Sequence, residues 1–491
     1  MYLKVAETFL KENSLVKQHL DSYNEFIENQ LQRIIDEQGV IESNHGVSIK
    51  LGKVELEQPR ILEADGSHRK MTPMEARLRN QSYEAKVVLN LTLTENNVEK
   101  ESHKVHIGRL PVMVKSDLCY LNGLNDEELM ELGEDPLDPG GYFIINGSER
   151  VLVAIEDLAQ NRTIVSKTSR SGKEVVTVRI FSVKEGFRAK IGVTRKDNGI
   201  FYVSFPASPR NLNIIPVLRS LGLSEDDDLF NAFKNKTEFK NDLLLNMESV
   251  KAGSHDEAVD YIGKRVAAGQ PKEYRQARAE QILDNYLLPH LGTTKEDRMR
   301  KALFLCKMME KATDVANGNE EEDDKDHYIN KRVKLSGMLM EELFRYAFGY
   351  FIKDINYQID RAFARSKKIR LRTLVRPDAM TTRIEYAMAT GNWVGGRTGI
   401  SQLLDRITFI ATLSHLKRVI SPLSKVHPHF EARDLHPTHW GKLCPNETPE
   451  GQSCGLVKNF ALGAVVSPGC PEENIEESLN KLGVVFKGGR E

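Results

Sequence analysis

Apolar positions follow two periods along the chain, and the changes of period mark out its organisation. Over 24–37, Phe26, Ile27, Leu31, Ile34 and Ile35 share one face of a 3.6-residue period, so residues 1–40 are expected to be helical with that stripe packed inward. From 47 to about 93 the pattern becomes strand-like, with runs at 47–51 and 85–93 around a polar loop. Between them Thr72 can cap a short helix, with Pro73 at its first position and Glu75 three residues on from the cap. A strand-like run over 105–114 is interrupted by Pro111, and 125–133 reads as an acidic helix. Two further β-type runs, 142–145 and 151–155, flank Asn146-Gly147, a pair suited to the φ > 0 conformers of a tight hairpin turn. As a hairpin it implies nothing about function, although Arg150 follows the turn closely.

Residues 165 to about 330 read as a separate module. Strands are expected at 174–183, 187–193 and 200–205, the last two joined at Asp197-Asn-Gly, followed by helices at 214–221, 256–267, 274–286 and 295–312. Strands followed by helices point to an α+β fold rather than a doubly wound sheet. The acidic run 319–326 is expected to be a solvated loop closing this module, because consecutive carboxylates on a loop repel one another unless held. From 335 to about 366, Leu339, Leu343, Phe344, Ala347, Phe351 and Ile355 mark a long amphipathic helix. It ends in the basic run 361–372, part of which complements the helix dipole and needs no ligand.

The stretch 387–462 breaks this regularity. Apolar helix-like segments alternate with Gly- and Pro-rich loops that carry Arg, Lys and five of the 13 histidines, a pattern suited to loops reaching a polyanion. A loop at 395–399 holds Arg397, and 401–419 is expected to be helical with Gln402, Arg406, Lys417 and Arg418 as its polar members. A second loop, 421–433, contains two prolines, Lys425 and Arg433. His436 and His439 could suggest a metal site, but Pro437 spoils their helical spacing and no paired cysteines or carboxylates complete a zinc set. Glu447 and Glu450 in Glu447-Thr-Pro-Glu-Gly could be imagined as an acid and base pair, a spacing common by chance. Neither G-x-x-x-x-G-K-[ST] nor G-x-G-x-x-G occurs, so a nucleotide-cradling loop of either kind is not expected.

Composition narrows the class. At 491 residues two to four domains are expected, and 40% hydrophobic with 28% charged residues is ordinary for a soluble globular protein. Without a run of about 18 apolar residues or an apolar leader, no membrane association is expected and the protein is read as cytoplasmic. Five cysteines without a C-x-x-C pair suit reduced thiols. The net charge of −1 conceals an uneven distribution, with 16 Lys and Arg against 7 Asp and Glu over 361–458. A local surplus of this kind suits phosphate binding, with a solvated basic face as the alternative.

Six motifs carry a family resemblance: Arg77-Leu-Arg-Asn, Ile107-Gly-Arg-Leu-Pro-Val-Met, Gly140-Gly-Tyr-Phe-Ile-Ile-Asn-Gly-Ser-Glu-Arg, Asp324-Lys-Asp-His, Ala389-Thr-Gly-Asn-Trp and Thr438-His-Trp-Gly-Lys-Leu-Cys-Pro-Asn-Glu-Thr-Pro-Glu-Gly-Gln. In this order, over nearly the whole chain, they resemble the N-terminal half of the second-largest subunit of multisubunit DNA-directed RNA polymerases. The chain looks like the split archaeal form, in which a second chain supplies the C-terminal half. The resemblance implies an α+β multidomain protein of mixed helices and antiparallel sheets. It implies a protrusion (1–164 and 335–387) with an inserted lobe (165–334), then a fork (388–462) and the start of an external region (463–491). It further implies nucleic-acid contacts at Arg150, Arg397, Gln402, Arg418 and Gln452, and Glu450 near the substrate. Arg406, Lys417, Lys425 and Arg433 join these as candidates from the basic stretch. The implied partners are the largest subunit and the rest of the core, general transcription factors, template DNA, nascent RNA and nucleoside triphosphates. Catalysis would be nucleotidyl transfer by the assembly, with Mg2+ held by aspartates of the largest subunit and no catalytic residue or metal in this chain. Two rival readings are a free-standing nucleic-acid-binding protein and a metal-dependent hydrolase using His436, His439 and Glu447.

Overall fold

The computed structural model describes residues 2–467 and 472–484, apart from 44, 64, 97, 171, 210, 211, 234, 235, 251 and 367. Cys470 and Lys367 of the basic run therefore lie outside the described residues. The chain forms two compact units, one of residues 1–157 with 333–491 and one of residues 158–332.

In the first unit the helix expected over 1–40 is broken into Tyr2–Glu12 and a second helix starting at Lys17. Asn13 and Ser14 divide them: Asn13 Nδ2 donates to the Phe9 carbonyl at 3.3 Å and Ser14 Oγ accepts from Val16 N at 3.4 Å. Such side chains compete with the helical ladder. The second helix runs to Gln38 through one π turn, Phe26–Gln30, and its stripe is buried as expected except for Ile27, which is half-buried. That stripe packs on the long helix Ser336–Ala364, whose predicted apolar face is buried throughout. Both pack against an antiparallel sheet of Val40–Glu42, Val47–Glu57, Glu84–Glu95 and Val98–Pro111, in that order. Alternation decides the register: Ile49 faces Leu93 and Leu51 faces Leu91, all buried. Each such side chain, fully buried, contributes about 1.5–3 kcal/mol of transfer free energy. Thr72 caps Pro73–Leu78 by accepting from Glu75 N, and Asn125 closes a capping box with Glu128 on Asp126–Glu131.

The second unit is α+β. Its sheet is a meander of Thr163–Arg170, Lys173–Lys184, Phe187–Arg195, Phe201–Ser204 and Leu212–Asn213. The first and last strands and the helices Asp226–Asn231 and Lys236–Glu248 went unread in the pattern, whereas the four expected helices form within a few residues of their places. Val178, Ile180 and Ile191 of the sheet share one core with Leu218, Ile262, Ile282 and Leu305 of the helices. The acidic run is not merely a solvated loop. Asp323 accepts from Val165 N at 2.8 Å and pairs with Lys311, and Glu322 accepts from Lys167 N at 2.9 Å. These carboxylates occupy donors on the otherwise open edge strand, a management of sheet edges by charge.

Candidate nucleic-acid interface

The Asn146-Gly147 hairpin forms as predicted, from Phe143–Ile145 and Ser148–Leu152, with φ of 48° and 75° at the two turn residues. Its outer neighbour was not foreseen. Ser401–Leu403 is a strand, pairing with Ser148–Leu152 so that Leu403 faces Arg150 and Gln402 faces Val151. The helix expected over 401–419 is therefore a strand, a turn, a short helix Phe409–Leu416 and a second strand Arg418–Ile420. Asp405 Oδ1 accepts from Ile407 N in the turn, and Thr408 Oγ1 accepts from Ala411 N to start the helix late. Arg418–Ile420 lies antiparallel to Val457–Asn459 but parallel to Ala154–Leu158, which corrects the expectation of antiparallel sheets alone. Beneath these strands Tyr83, Val112, Tyr142, Ile144, Val151, Val153, Leu404 and Leu416 form one apolar cluster.

The fold divides the candidate side chains into two groups. One group holds the chain together. Arg397 pairs with Glu342 and donates to the Val394 carbonyl at 3.1 Å. Arg406 donates to Glu149 at 2.6 Å and Asp138 at 2.7 Å and lies over the Tyr142 ring, while Arg77 binds Glu134, Glu149 and the Tyr142 hydroxyl. Lys417 is buried, donates to the Leu462 carbonyl at 3.1 Å, and has its pKa lowered by that burial. Gln402 donates to the Gly399 carbonyl and meets His415 Nε2 at 3.1 Å. Arg433 donates to the carbonyls of Pro428, Gln452 and Cys454 at 2.6–2.8 Å, and at longer range to those of Lys425 and His427. It thereby ties loop 421–433 to the segment carrying Gln452. Gly455 allows this approach: its φ is +72°, and a Cβ there would stand 2.4 Å from the Arg433 carbonyl oxygen.

The other group is unengaged. The side chains of Arg150, Arg418, Lys425, Glu450 and Gln452 make no hydrogen bond or ion pair among the described residues, and Arg150 Nε is buried without a partner. A buried guanidinium N–H without an acceptor is costly unless something else supplies one. Arg418 sits beside His415, whose pKa is lowered to about 4 by burial first and by the Arg418 charge second. The histidine therefore stays neutral and adds no charge to the group.

Glu447 is structural here. It accepts from Ser414 Oγ and from Asn459 Nδ2 at 3.1 Å, which fixes the Thr-Pro-Glu-Gly loop to the end of Phe409–Leu416. Thr448 Oγ1 donates to the Val457 carbonyl and accepts from Gly455 N, both at 2.9 Å. Glu450 carries no such partner and is exposed. His436 Nδ1 lies 2.6 Å from Thr438 Oγ1, and the rings of His436 and His439 are 6.0 Å apart. Among the described residues no three or more His, Cys, Asp or Glu are grouped to hold a metal ion.

Sequence reasoning missed Glu149, Glu342, His415 and Asn459, which orient the candidates. Their partners lie up to 257 residues away, as for Glu149 with Arg406, and no local period reports such a pairing.

Compared with known families, residues 14–382 match the family described as RNA polymerase beta subunit, and residues 402–466 match RNA polymerase Rpb2, domain 3. The chain is 48% identical over 491 residues to DNA-directed RNA polymerase subunit Rpo2N of Methanocaldococcus jannaschii, covering 98% of each chain. It is 44% identical over 498 residues to Rpo2N of Halobacterium salinarum, covering 98% of this chain and 95% of that one. With DNA-directed RNA polymerase subunit Rpo2 of Saccharolobus solfataricus it shares 48% identity over 485 residues, 98% of this chain but 43% of the relative, so it spans less than half of that protein.

Proposed function

The chain belongs to the RNA polymerase beta-subunit family, and from that premise we propose that it is the N-terminal half of a split second-largest subunit that positions nucleic acid for a shared active centre. In this reading residues 1–164 and 335–387 are the protrusion, 165–334 the lobe and 388–462 the fork. The observation that supports it is the division of the fork's side chains. Arg397, Arg406, Lys417 and Arg433 are spent on the scaffold, which leaves Arg150, Arg418, Lys425 and Gln452 unengaged for template DNA and the RNA–DNA hybrid. Arg offers a fixed donor fork to phosphate oxygens and does not read base identity, which suits an enzyme that transcribes any sequence.

Nucleotidyl transfer needs metal-held carboxylates against the developing phosphoryl charge. We assign those, with their Mg2+, to the largest subunit, so this chain acts only in the assembled enzyme. Five large apolar side chains of the fork, Ile407, Ile410, Val426, Phe430 and Trp440, are 76–88% exposed. We assign these open side chains to contact with the C-terminal half and the core subunits, against the rival of a free-standing binding protein.

The test is purification from native cells followed by mass spectrometry. The chain is expected with a C-terminal half and a largest subunit; recovery as a lone monomer overturns the reading. In the assembled enzyme, Arg418→Ala is expected to weaken retention of nucleic acid at high salt while leaving subunit composition unchanged.

A further inference from the structure

The long helix Ser336–Ala364 buries one face in the core, yet its opposite face is not the mixed polar surface usual for an amphipathic helix. Tyr346, Tyr350, Lys353, Tyr357 and Arg361 follow one another at intervals of three or four residues, and Arg365 continues the row just past the helix end. Tyr346 and Tyr357 are 44% and 59% exposed. From the helix Asp378–Thr390, the Arg383 guanidinium lies 4.2 Å from the centre of the Tyr350 ring, and Tyr386, one turn further on, is 59% exposed.

The acids beside this row are occupied. Asp354 pairs with Arg376, and Asp360 pairs with His45, whose ring stacks on Phe363. The side chains of Arg361 and Arg365 make no hydrogen bond or ion pair among the described residues, and Lys368, Arg370 and Arg372 continue the basic surface beyond the helix. Attraction to the helix dipole accounts for cations in the last turn only. It does not account for three open tyrosine rings or for cations past the end.

Lys353 Nζ lies 5.2 Å from the centre of the Tyr350 ring, and none of these cations is held by a carboxylate among the described residues. Open aromatic rings interleaved with such cations match a single nucleic-acid strand, whose unpaired bases offer faces to stack on and whose phosphates offer charge. A duplex keeps its bases stacked inside and would use the cations alone. We propose that this outer face, with Tyr346, Tyr357 and Tyr386 as stacking rings and Lys353, Arg361 and Arg365 as phosphate contacts, binds single-stranded nucleic acid. It uses none of the fork residues and stands or falls independently of their role.

The experiment uses the full chain in its purified polymerase assembly, with a 5′-labelled oligo(dT) and a duplex of equal length as probes. Ultraviolet crosslinking followed by peptide mapping is expected to place oligo(dT) on residues 346–365. Tyr346→Ala with Tyr357→Ala is expected to lower that crosslink at least about tenfold, while Tyr346→Phe with Tyr357→Phe retains it and Arg418→Ala leaves it unchanged. Arg361→Gln with Arg365→Gln is expected to lower it in a salt-dependent manner. Absence of crosslinks at 346–365 overturns the proposal, as does an equal loss of duplex binding in the tyrosine variant. Persistence of the crosslink after both rings are removed also overturns it. A thermal melt of each variant confirms that the helix still packs. Retained salt-sensitive binding at the fork in any failed outcome separates this proposal from the function assigned above.

Discussion

The inserted unit, 158–332, and the segment 388–462 are built from similar residues and finished differently. In the inserted unit charged groups pair within the unit: Arg195 with Asp242 at 2.7 Å, and Arg298 with Asp284 at 2.6 Å and Glu280 at 3.1 Å. Lys301, fully buried, donates to the carbonyls of Leu283 and Asp284 at the end of Lys272–Tyr286, and burial pushes its pKa down to about 8. No large apolar side chain described there is more than 57% exposed. In 388–462 Arg397, Arg406, Lys417 and Arg433 are held by the chain itself, Arg418 and Lys425 are unengaged among the described residues, and Trp440 is 88% exposed. The difference separates a unit that pairs its charges and buries its apolar side chains from a segment that leaves cations and large apolar side chains open.

The comparison can be broken most directly by excision. Residues 158–332 produced alone are expected to unfold in one cooperative transition, and residues 388–462 alone to show none; circular dichroism on heating reads both. Cooperative melting of the second fragment would remove the distinction.

Next in size is the loss of one cation from each region. Arg298→Ala leaves Asp284 and Glu280 facing each other in a partly buried site, and a loss of about 3 kcal/mol is expected by denaturant titration. Arg433→Ala removes donors from carbonyls that water can reach, and about 1 kcal/mol is expected. Increased proteolysis in 421–433 should mark where that loss falls.

Acid sharpens the comparison within the first unit. His19 donates from Nε2 to the Leu416 carbonyl at 2.7 Å, and its pKa is lowered to about 4 by burial, as is that of His415. Unfolded, each would titrate near 6.5, so the unfolded state binds more protons between pH 4 and 6.5. Stability is thus fully present above pH 6.5 and falls as pH drops towards 4, by up to about 1.4 kcal/mol per pH unit for each histidine. Stability measured against pH in His19→Gln and His415→Gln should show a shallower slope; an unchanged slope would mean the burial is not maintained in solution.

The smallest effect on stability is expected from Arg418→Ala, within about 0.5 kcal/mol, since the guanidinium secures nothing. Its effect should appear instead as a reduction of about one in the slope of log affinity against log salt.

Much of the fold was legible because it rests on local rules. The stripe of Ser336–Ala364, the alternation of Glu84–Glu95, the cap at Thr72 and the turn at Asn146-Gly147 each depend on residues within a few positions of one another. The reading failed at 401–419, where the apolar content suited a helix but pairing with Ser148–Leu152 and Ala154–Leu158 captured both ends as strands. Neither partner strand is near in sequence, so the competing ladder bonds leave no local trace.

The candidate site divides along the same line. By itself the sequence determined which side chains could meet a polyanion, because the type of residue, a basic surplus and loops without apolar period are properties of the chain alone. Only the tertiary structure decided which of them are unengaged. Whether Arg406 meets Glu149, Arg397 meets Glu342, or Arg418 meets nothing depends on carboxylates brought from distant strands and helices, and charge compensation acts through space rather than along the chain.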